Sequence, residues 1–378
     1  MRPRPDARER KPEGRTATEP RLRALLEEMV ERGASDLHIT VGGPPRLRID
    51  GHLTDCRTEG VLGPEGVLGP EDTAALGCSV LAEGQRSRYA REGDIDFSFS
   101  IDDRSRFRAN LFRQRGHVAC AIRRIPADIP GLEELGLPSV VARLTGKPRG
   151  LVLVTGPTGS GKSTTLAAMV DRINVTRAGH IITIEDPIEF VHPHKRCLVN
   201  QREVGHDTRG FDAALKYALR QDPDVILVGE MRDPETIQAA LTIAETGHLA
   251  LATLHTNSAA ETIHRIIDVF PSHRQTQVRA QFALAFEGVV TQVLLPRARR
   301  GGRVVACEVL LATPATRALI REAKVHQICS AMQAARGLGM QTLNDALHRL
   351  YAQGHVTSEA CLRVASDPAG FRRLTGTR

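Results

Sequence analysis

The sequence of 378 residues predicts an α/β protein in which a doubly covered parallel sheet follows a smaller α+β domain. Two observations support this fold class. In the second half of the chain, four short apolar runs alternate with helical patterns, which is typical of parallel strands covered on both faces. In the first half, apolar and polar residues alternate singly, as they do in half-buried strands.

The first domain is predicted to begin with a helix near Leu22 that stops at Gly33, and strands follow it. The predicted strands are 36–41, 46–49, 95–101, 106–111 and 117–123. The predicted divisions of the chain are a disordered basic arm at 1–20, the first domain at 21–125, a proline-marked linker at 126–149, the second domain with C-terminal helices at 150–365 and a tail at 366–378. A tandem Gly-Val-Leu-Gly-Pro-Glu repeat at 60–71 is expected to lengthen a surface loop.

Composition restricts the possible functions. The formal charge is +7, and seven basic residues lie within residues 1–21, which could contact nucleic acid or acidic lipid or could simply be solvated. Aromatic residues make up only 3% and tryptophan is absent, so we expect no nucleic-acid partner. Seven cysteines form no C-x-x-C pair, so we expect no zinc site. Without a membrane-length apolar run or a signal-peptide pattern, the protein is expected to be cytoplasmic.

The run Gly156–Ser163 predicts a phosphate-binding P-loop, because it follows an apolar strand and precedes a helical pattern. Its glycines let backbone N–H groups turn toward phosphate oxygens, and the helix adds its positive N-terminal dipole. Lys162 can reach the β- and γ-phosphates, and the Ser163 hydroxyl can hold Mg²⁺. The predicted ATP-binding residues are Gly156, Pro157, Thr158, Gly159, Ser160, Gly161, Lys162, Ser163 and Thr164.

Three further apolar runs end in polar groups that right-handed crossovers would bring to the same edge of the sheet. The run 225–228 ends at Gly229-Glu230, and Glu230 can orient or deprotonate water and contribute to the Mg²⁺ site; otherwise it is a surface glutamate. The run 181–184 ends in an acidic cluster of three carboxylates that could surround the metal or assist the base. The cluster comprises Glu185, Asp186 and Glu189. Asp186 could instead cap a helix that starts at Pro187.

The run 249–254 ends at His255, which could sense the γ-phosphate, whereas His248 lies at the far end of that strand. A lone histidine can also be merely structural. Hydrolysis needs positive charge on the transition state, and no cation besides Lys162 is evident near the loop. Arg108 and Arg123, on the polar faces of strands in the first domain, could supply it or could be solvated surface charges.

These motifs together resemble those of the type II/type IV secretion ATPases, and within that superfamily the type IV pilus retraction (PilT) family. The resemblance covers about 22–351. It rests on the P-loop, the acidic box Thr183–Glu189, the atypical Walker B motif Gly229–Asp233, the histidine box Gly247–Thr256, and the N-terminal runs Ser35–Ile39 and Arg106–Asn110.

The resemblance implies a PAS-like first domain, a RecA-like P-loop ATPase domain and a homohexameric ring with ATP between the domains. It also implies that Arg108 and Arg123 approach the phosphates, on their own subunit's nucleotide or on a neighbour's. The implied function is a motor that couples ATP hydrolysis to pilus retraction, filament disassembly and twitching motility. Its implied partners are the inner-membrane platform protein and the pilin machinery, which would place it peripherally at the inner face of the membrane.

Retraction is favoured over pilus assembly or secretion by three features. The four-cysteine zinc element of the assembly relatives is missing, and no room is left for their extra N-terminal domain. The segment Ala315–Glu322 also resembles the retraction family's Ala-Ile-Arg-Asn-Leu-Ile-Arg-Glu motif, with departures at Thr316 and Ala318; alternatively, it is an ordinary amphipathic helix. A nucleic-acid translocase and a non-catalytic nucleotide-binding regulator are further alternatives.

Overall fold

The computed structural model describes residues 18–49, 51–57, 67–102, 105–125, 128–299 and 301–376. The chain divides into two compact units, with the boundary between residues 127 and 128. Most of the predicted basic arm and residues 60–66 of the duplicated loop lie outside the described residues. No helix of the described ranges is long and apolar enough to cross a membrane.

In its described residues, the first unit contains a six-stranded antiparallel sheet and three helices. The strands are β1 Asp36–Ile39, β2 Arg46–Ile49, β3 His52–Asp55, β4 Ile95–Ser100, β5 Arg106–Gln114 and β6 His117–Ile125, in the order β3-β2-β1-β6-β5-β4. The helices are α1 Pro20–Glu31, α2 Pro70–Cys78 and α3 Glu83–Glu92. The predicted helix and all five predicted strands are confirmed, with ends that differ by up to three residues.

Three elements of the first unit were not predicted, namely β3, α2 and α3. Every residue of β3 is exposed, so the strand carries no alternation of apolar and polar residues. In α3 only Tyr89 is buried, which leaves no apolar stripe at helical spacing. These elements form because neighbouring strands and helices supply their contacts.

The second unit contains a seven-stranded sheet in which only β13 runs antiparallel to its neighbour. The strands are β7 Gly150–Thr155, β8 Gly179–Glu185, β9 Cys197–Glu203, β10 Val225–Val228, β11 Leu249–Leu254, β12 Phe286–Pro296 and β13 Arg303–Leu311, in the order β13-β12-β7-β11-β10-β8-β9. The helices are α4 Ser139–Thr145, α5 Lys162–Thr176, α6 Phe211–Ala218, α7 Pro234–Glu245, α8 Ala259–Asp268, α9 Ser272–Ala285, α10 Pro314–Arg321, α11 Ile328–Ala334, α12 Leu343–Ala352, α13 Ser358–Leu362 and α14 Pro368–Thr375.

The central strands of this sheet are buried on both faces. Every residue of β7, β10 and β11 is buried, which explains their continuous apolar sequences. Alternate residues of each strand enter two different apolar clusters; for example, Leu151 and Leu153 pack in one cluster, and Val152 and Val154 pack in the other. The four predicted parallel strands are confirmed as the adjacent group β7-β11-β10-β8.

The structure differs from the sequence expectation at both ends of the second unit. Part of the expected linker 126–149 forms α4, whose Val141 and Leu144 are at most 1% exposed in the apolar core. Part of the expected tail 366–378 forms α14, whose Phe371 is fully buried and packs against Tyr351 with ring centroids 6.1 Å apart. Both helices have fewer than nine residues, too few for a helical period to stand out in the sequence.

Candidate active site

The P-loop joins the C-terminal end of β7 to the first turn of α5, as predicted. Gly156, Gly159 and Gly161 have φ values of 142°, 77° and 87°, which side-chain-bearing residues rarely adopt. A Cβ atom at Gly156 would lie 2.2 Å from the backbone oxygen of Gln292 on β12. A larger residue at this position would therefore force the loop away from the sheet.

Lys162, the first residue of α5, is only 8% exposed. Its ammonium donates hydrogen bonds to the carbonyl oxygens of Gly156 at 2.9 Å and Pro157 at 3.0 Å. Burial lowers the pKa of Lys162, and the charges of Glu230 and Glu189 act in the opposite direction. A partly desolvated cation is thus held inside the loop, next to two carboxylates.

Glu230 lies two residues after the end of β10, and the intervening Gly229 is held by hydrogen bonds from both neighbouring strands. The N–H of Gly229 donates to the carbonyl of Ile184 at 2.8 Å, and the Thr253 hydroxyl donates to the carbonyl of Gly229 at 2.5 Å. The Glu230 side chain is 22% exposed, and its Oε2 lies 2.7 Å from Nη2 of Arg232. The acidic group is therefore accessible but oriented.

His255 links the ammonium to this carboxylate. Its Nδ1 lies 3.5 Å from Nζ of Lys162, and its Nε2 lies 3.3 Å from Oε1 of Glu230. An ammonium can only donate a hydrogen bond and a carboxylate can only accept one. A neutral imidazole with its proton on Nε2 satisfies both partners, so the neighbours assign this tautomer. The structure thus brings together three of the predicted site residues in one chain of polar contacts.

Of the three carboxylates in the acidic box, one is fixed by hydrogen bonds and two are exposed. Glu185 accepts hydrogen bonds from the Thr183 hydroxyl at 2.6 Å and from the Gln201 amide at 3.2 Å. Burial raises the pKa of Glu185, against these hydrogen bonds. Asp186 and Glu189 are exposed. The alternative role of Asp186 as a helix cap is wrong, because within the described range 128–299 the element after β8 is the strand β9.

His248 lies apart from this group. It precedes the first residue of β11, whereas His255 follows the last, so a strand roughly 20 Å long separates them. Its Nδ1 is 3.1 Å from the Thr246 hydroxyl and 3.2 Å from the carbonyl of Ile243. These contacts hold His248 at the turn before the strand.

Arg108 and Arg123 lie directly opposite each other on β5 and β6, within the first unit. Nε of Arg123 is 2.8 Å from Oδ1 of Asp36, and Nη2 of Arg108 is 3.8 Å from Oδ1 of Asp96. The side chain of Arg123 is 70% exposed and that of Arg108 is 43% exposed, so both remain accessible to a ligand. The polar face predicted from the alternation carries both arginines.

Sequence reasoning missed three residues that shape the site, namely Arg232, Gln201 and Gln292. Arg232 lies within the Walker B motif, and its charge next to Glu230 could have suggested an ion pair. Gln201 contacts Glu185 from β9, a strand that was not predicted. Gln292 lies in a mainly apolar strand that also contains Glu287 and Thr291, so its amide is a weak signal without the fold.

Comparison with known proteins gives a consistent family. The family described as Type II/IV secretion system protein matches residues 128–300. The type IV pilus retraction ATPase PilT of Pseudomonas aeruginosa is 49% identical over 92% of this chain and 98% of its own length. The type IV pilus ATPase PilU of the same organism is 45% identical, over 93% of this chain and 90% of the relative.

A crystal structure of the pilus retraction motor PilT with bound ADP superimposes with a TM-score of 0.86 at 50% identity, and the match covers 92% of this chain and 98% of that one. The chain belongs to the PilT family of secretion ATPases. The structural match extends over both units of this PilT-family chain, and the relatives' lengths are almost fully covered.

In this PilT-family chain, Ala315–Glu322 corresponds to α10. Arg317 donates hydrogen bonds to the carbonyl of Ala283 at 2.6 Å and to Glu287 at 2.8 Å, so it closes the C-terminal end of α9. Thr316, which replaces the family's isoleucine, is buried, and its hydroxyl donates to the carbonyl of Leu311 at 2.9 Å and accepts from the N–H of Thr313 at 2.8 Å. A capping box therefore accommodates this departure from the motif.

The residues of this PilT-family site fit a magnesium ion only in part. Ser163 supplies a partly exposed hydroxyl in the first turn of α5, a donor that suits Mg²⁺. Both oxygens of Glu230 already face a partner, Arg232 or His255. Among the described residues, no group of three or more His, Cys, Asp or Glu side chains could hold a metal. This geometry favours Ser163 as the protein ligand and Glu230 as the group that orients water.

Arg232→Ala should shift the acid limb of the ATPase pH profile to higher pH. Partial burial raises the pKa of Glu230, but the hydrogen bond and charge of Arg232, together with His255, outweigh it and keep the pKa below its usual value. A base works only when ionised, so activity is present above this pKa and is lost as pH falls through it. Without the hydrogen bond and charge of Arg232, the loss should occur at a higher pH than in the parent. The measurement is kcat across acidic pH. The control Arg363→Ala, which removes an exposed arginine paired with Glu359, should lose activity at the same pH as the parent. If Arg232→Ala also loses activity at the parental pH, the expectation is contradicted.

Proposed function

We propose that this chain is a hexameric motor ATPase that couples ATP hydrolysis to the retraction of type IV pili. The chain of contacts from Lys162 through His255 to Glu230, at the mouth of the P-loop, is the observation that best supports ATP hydrolysis. The direction of work, retraction, is supported by the match to the retraction ATPase over nearly its whole length.

The geometry suggests how the residues divide the reaction. The N–H groups of the P-loop and the N-terminus of α5 bind the phosphates, and Lys162 exchanges its two loop carbonyls for phosphate oxygens. Glu230 orients the attacking water and accepts its proton. His255 contacts both groups, so a phosphate that draws the ammonium away changes the hydrogen bonding of the base. Ser163 would hold Mg²⁺ when it is bound, and the ion would supply positive charge to the phosphates.

Arg108 and Arg123 supply the remaining positive charge in this proposal. Arginine stabilises the charge that develops on a transferring phosphoryl group, and such residues are worth about 10³-fold or more in kcat. Arg123→Ala should therefore lower kcat by about 10³-fold and change the ATP dissociation constant by less than about threefold. The control Arg91→Ala, an exposed arginine on α3 of the same unit, should behave as the parent. A kcat within about threefold of the parent would remove Arg123 from the mechanism.

Mixed rings would show whose nucleotide Arg123 serves. Rings assembled from Arg123→Ala and Lys162→Ala subunits should regain activity if the arginine acts on a neighbour's nucleotide, because some interfaces then combine an intact loop with an intact arginine. If it acts within its own subunit, mixing restores nothing. This outcome depends on the proposed hexameric ring.

The remaining parts of the proposal rest on family membership. They are a PAS-like fold of the first unit, a peripheral position at the inner face of the cell membrane, and contact with the inner-membrane platform protein and the pilin machinery.

A second candidate is an assembly or accessory motor of the same superfamily, since PilU, a relative named only as a type IV pilus ATPase, is 45% identical. Deleting the gene separates the possibilities. Cells that lose twitching and carry extra surface pili support retraction, cells without pili indicate assembly, and cells with normal pili and normal twitching indicate an accessory role.

A further inference from the structure

Gln292 places a buried amide beneath the P-loop. The residue lies within β12 and is 1% exposed, among apolar neighbours such as Val290 and Leu295. A buried amide is costly unless it forms hydrogen bonds. Here Nε2 of Gln292 donates to the carbonyl oxygen of Ser160 at 2.7 Å. The amide thus has a specific partner in the middle of the P-loop.

Gln292 meets the loop at three of its residues. Besides the bond to Ser160, its backbone oxygen would lie 2.2 Å from a Cβ on Gly156, and its Nε2 would lie 3.2 Å from a Cβ on Gly161. The preceding residue, Thr291, is paired in parallel register with Thr155 at the end of β7, and their hydroxyls are 2.8 Å apart. The loop therefore packs against β12 at its first residue and again at Ser160 and Gly161.

Two polar atoms at this contact lack a hydrogen-bond partner among the described residues. They are Oγ of Ser160 and Oε1 of Gln292, both fully buried. A hydroxyl donates and an amide oxygen accepts, and these two residues are already joined by one hydrogen bond. The contact between the P-loop and β12 thus contains a buried hydroxyl and a buried amide oxygen in addition to the bond already formed.

The bond to Ser160 has a directional consequence. The C=O of Ser160 and the N–H of Gly161 belong to one planar trans peptide, so they point in opposite directions. Fixing the carbonyl toward Gln292 therefore aims the Gly161 N–H away from β12. N–H groups that face into the curl of such a loop are the donors that bind phosphate.

We propose that Gln292 is a positioning residue for nucleotide binding, which acts by orienting the Ser160–Gly161 peptide of the P-loop. This inference rests on the proposed function, because it assumes that the loop binds the phosphates of ATP and ADP. A phosphate contact made alike in the ground state and in the transition state contributes to affinity rather than to turnover.

Gln292→Met, which keeps the volume of the side chain and removes the amide, tests this role. Without the bond to Ser160, the Gly161 N–H would no longer be aimed at the phosphate, which costs the nucleotide one hydrogen bond. Since one hydrogen bond is worth about tenfold in binding, we expect the dissociation constants of Mg-ATP and Mg-ADP and the KM to rise about tenfold. The kcat should fall by less than about threefold. The measurements are fluorescence titrations with labelled nucleotide and steady-state phosphate release, on protein whose folding and assembly are checked by thermal melting and light scattering.

Gln341→Met is a matched control, because Gln341 is also buried and its Nε2 also donates to a backbone carbonyl, that of Cys307, at 2.7 Å. It should be destabilised without losing nucleotide affinity. Equal affinities in the two variants, or a Gln292→Met dissociation constant within about twofold of the parent, would overturn the proposal. If Gln292→Met does not fold, Gln292→Asn, too short to reach Ser160, carries the same prediction.

The same measurements distinguish an error in the proposed function from an error in the role of Gln292. If the parent protein neither binds nor hydrolyses ATP, the function is wrong. If the parent does both and Gln292→Met matches it, only the positioning role is wrong.

Discussion

Glu230→Gln should bind ATP normally and hydrolyse it at a small fraction of the parental rate. We expect kcat to fall at least about 100-fold, because a positioned general base contributes 10²–10⁴-fold and an amide cannot accept the proton. The dissociation constant of ATP should change by less than about threefold, since the proposed partner of Glu230 is the attacking water and not the phosphates. Phosphate release and nucleotide titration on the same preparation measure both quantities.

The control for this change is Glu245→Gln, near the end of α7, where the carboxylate accepts only a long 3.3 Å hydrogen bond from Gln281. It should turn over at the parental rate. Near-normal turnover in Glu230→Gln would remove Glu230 from the catalytic role. A large loss of ATP affinity would indicate that Glu230 serves the metal or the loop instead.

Lys162→Ala should lose nucleotide binding itself. The variant removes the buried cation of the loop, so the charged phosphates would face the carbonyl oxygens of Gly156 and Pro157, which Lys162 now contacts. We expect the dissociation constant of ATP to rise at least about 100-fold, in line with a charged hydrogen-bonding group placed in a partly desolvated site. Turnover should be undetectable at ATP concentrations that saturate the parent.

The matched control is Lys195→Ala, which removes a lysine that forms a 2.6 Å ion pair with Asp171 at the surface of the same unit. It should leave binding and turnover unchanged. Lys162→Met keeps most of the aliphatic stem and should behave as Lys162→Ala. Parental affinity in both Lys162 variants would show that nucleotide does not bind at this loop.

Much of the sheet in the second unit could be predicted from the sequence. Buried parallel strands read as continuous apolar runs, so the four strands that end at the P-loop, Glu185, Glu230 and His255 were evident. Strand polarity also separated His255 from His248 correctly, because the two residues flank one strand. The order of the strands was not predictable, since it depends on which crossovers pack best.

The parts that escaped prediction depend on contacts between distant segments. Gln292 bonds to Ser160 across 132 residues of sequence, and no local pattern marks that pair. Strand β9, which supplies Gln201 to the acidic box, alternates buried and exposed residues only over its first four positions. The short helices α4 and α14 owe their stability to a few side chains, such as Leu144 and Phe371, that fill existing cores.

In the proposed function, ATP hydrolysis at this site drives pilus retraction. The most direct test is to count retraction events of fluorescently labelled pili in a gene-deletion strain that expresses either the parent protein or Glu230→Gln at equal levels. We predict that the parent restores retraction and twitching, whereas Glu230→Gln leaves extended pili that do not shorten. Parental retraction in the Glu230→Gln strain, or a deletion strain without surface pili, would contradict the claim.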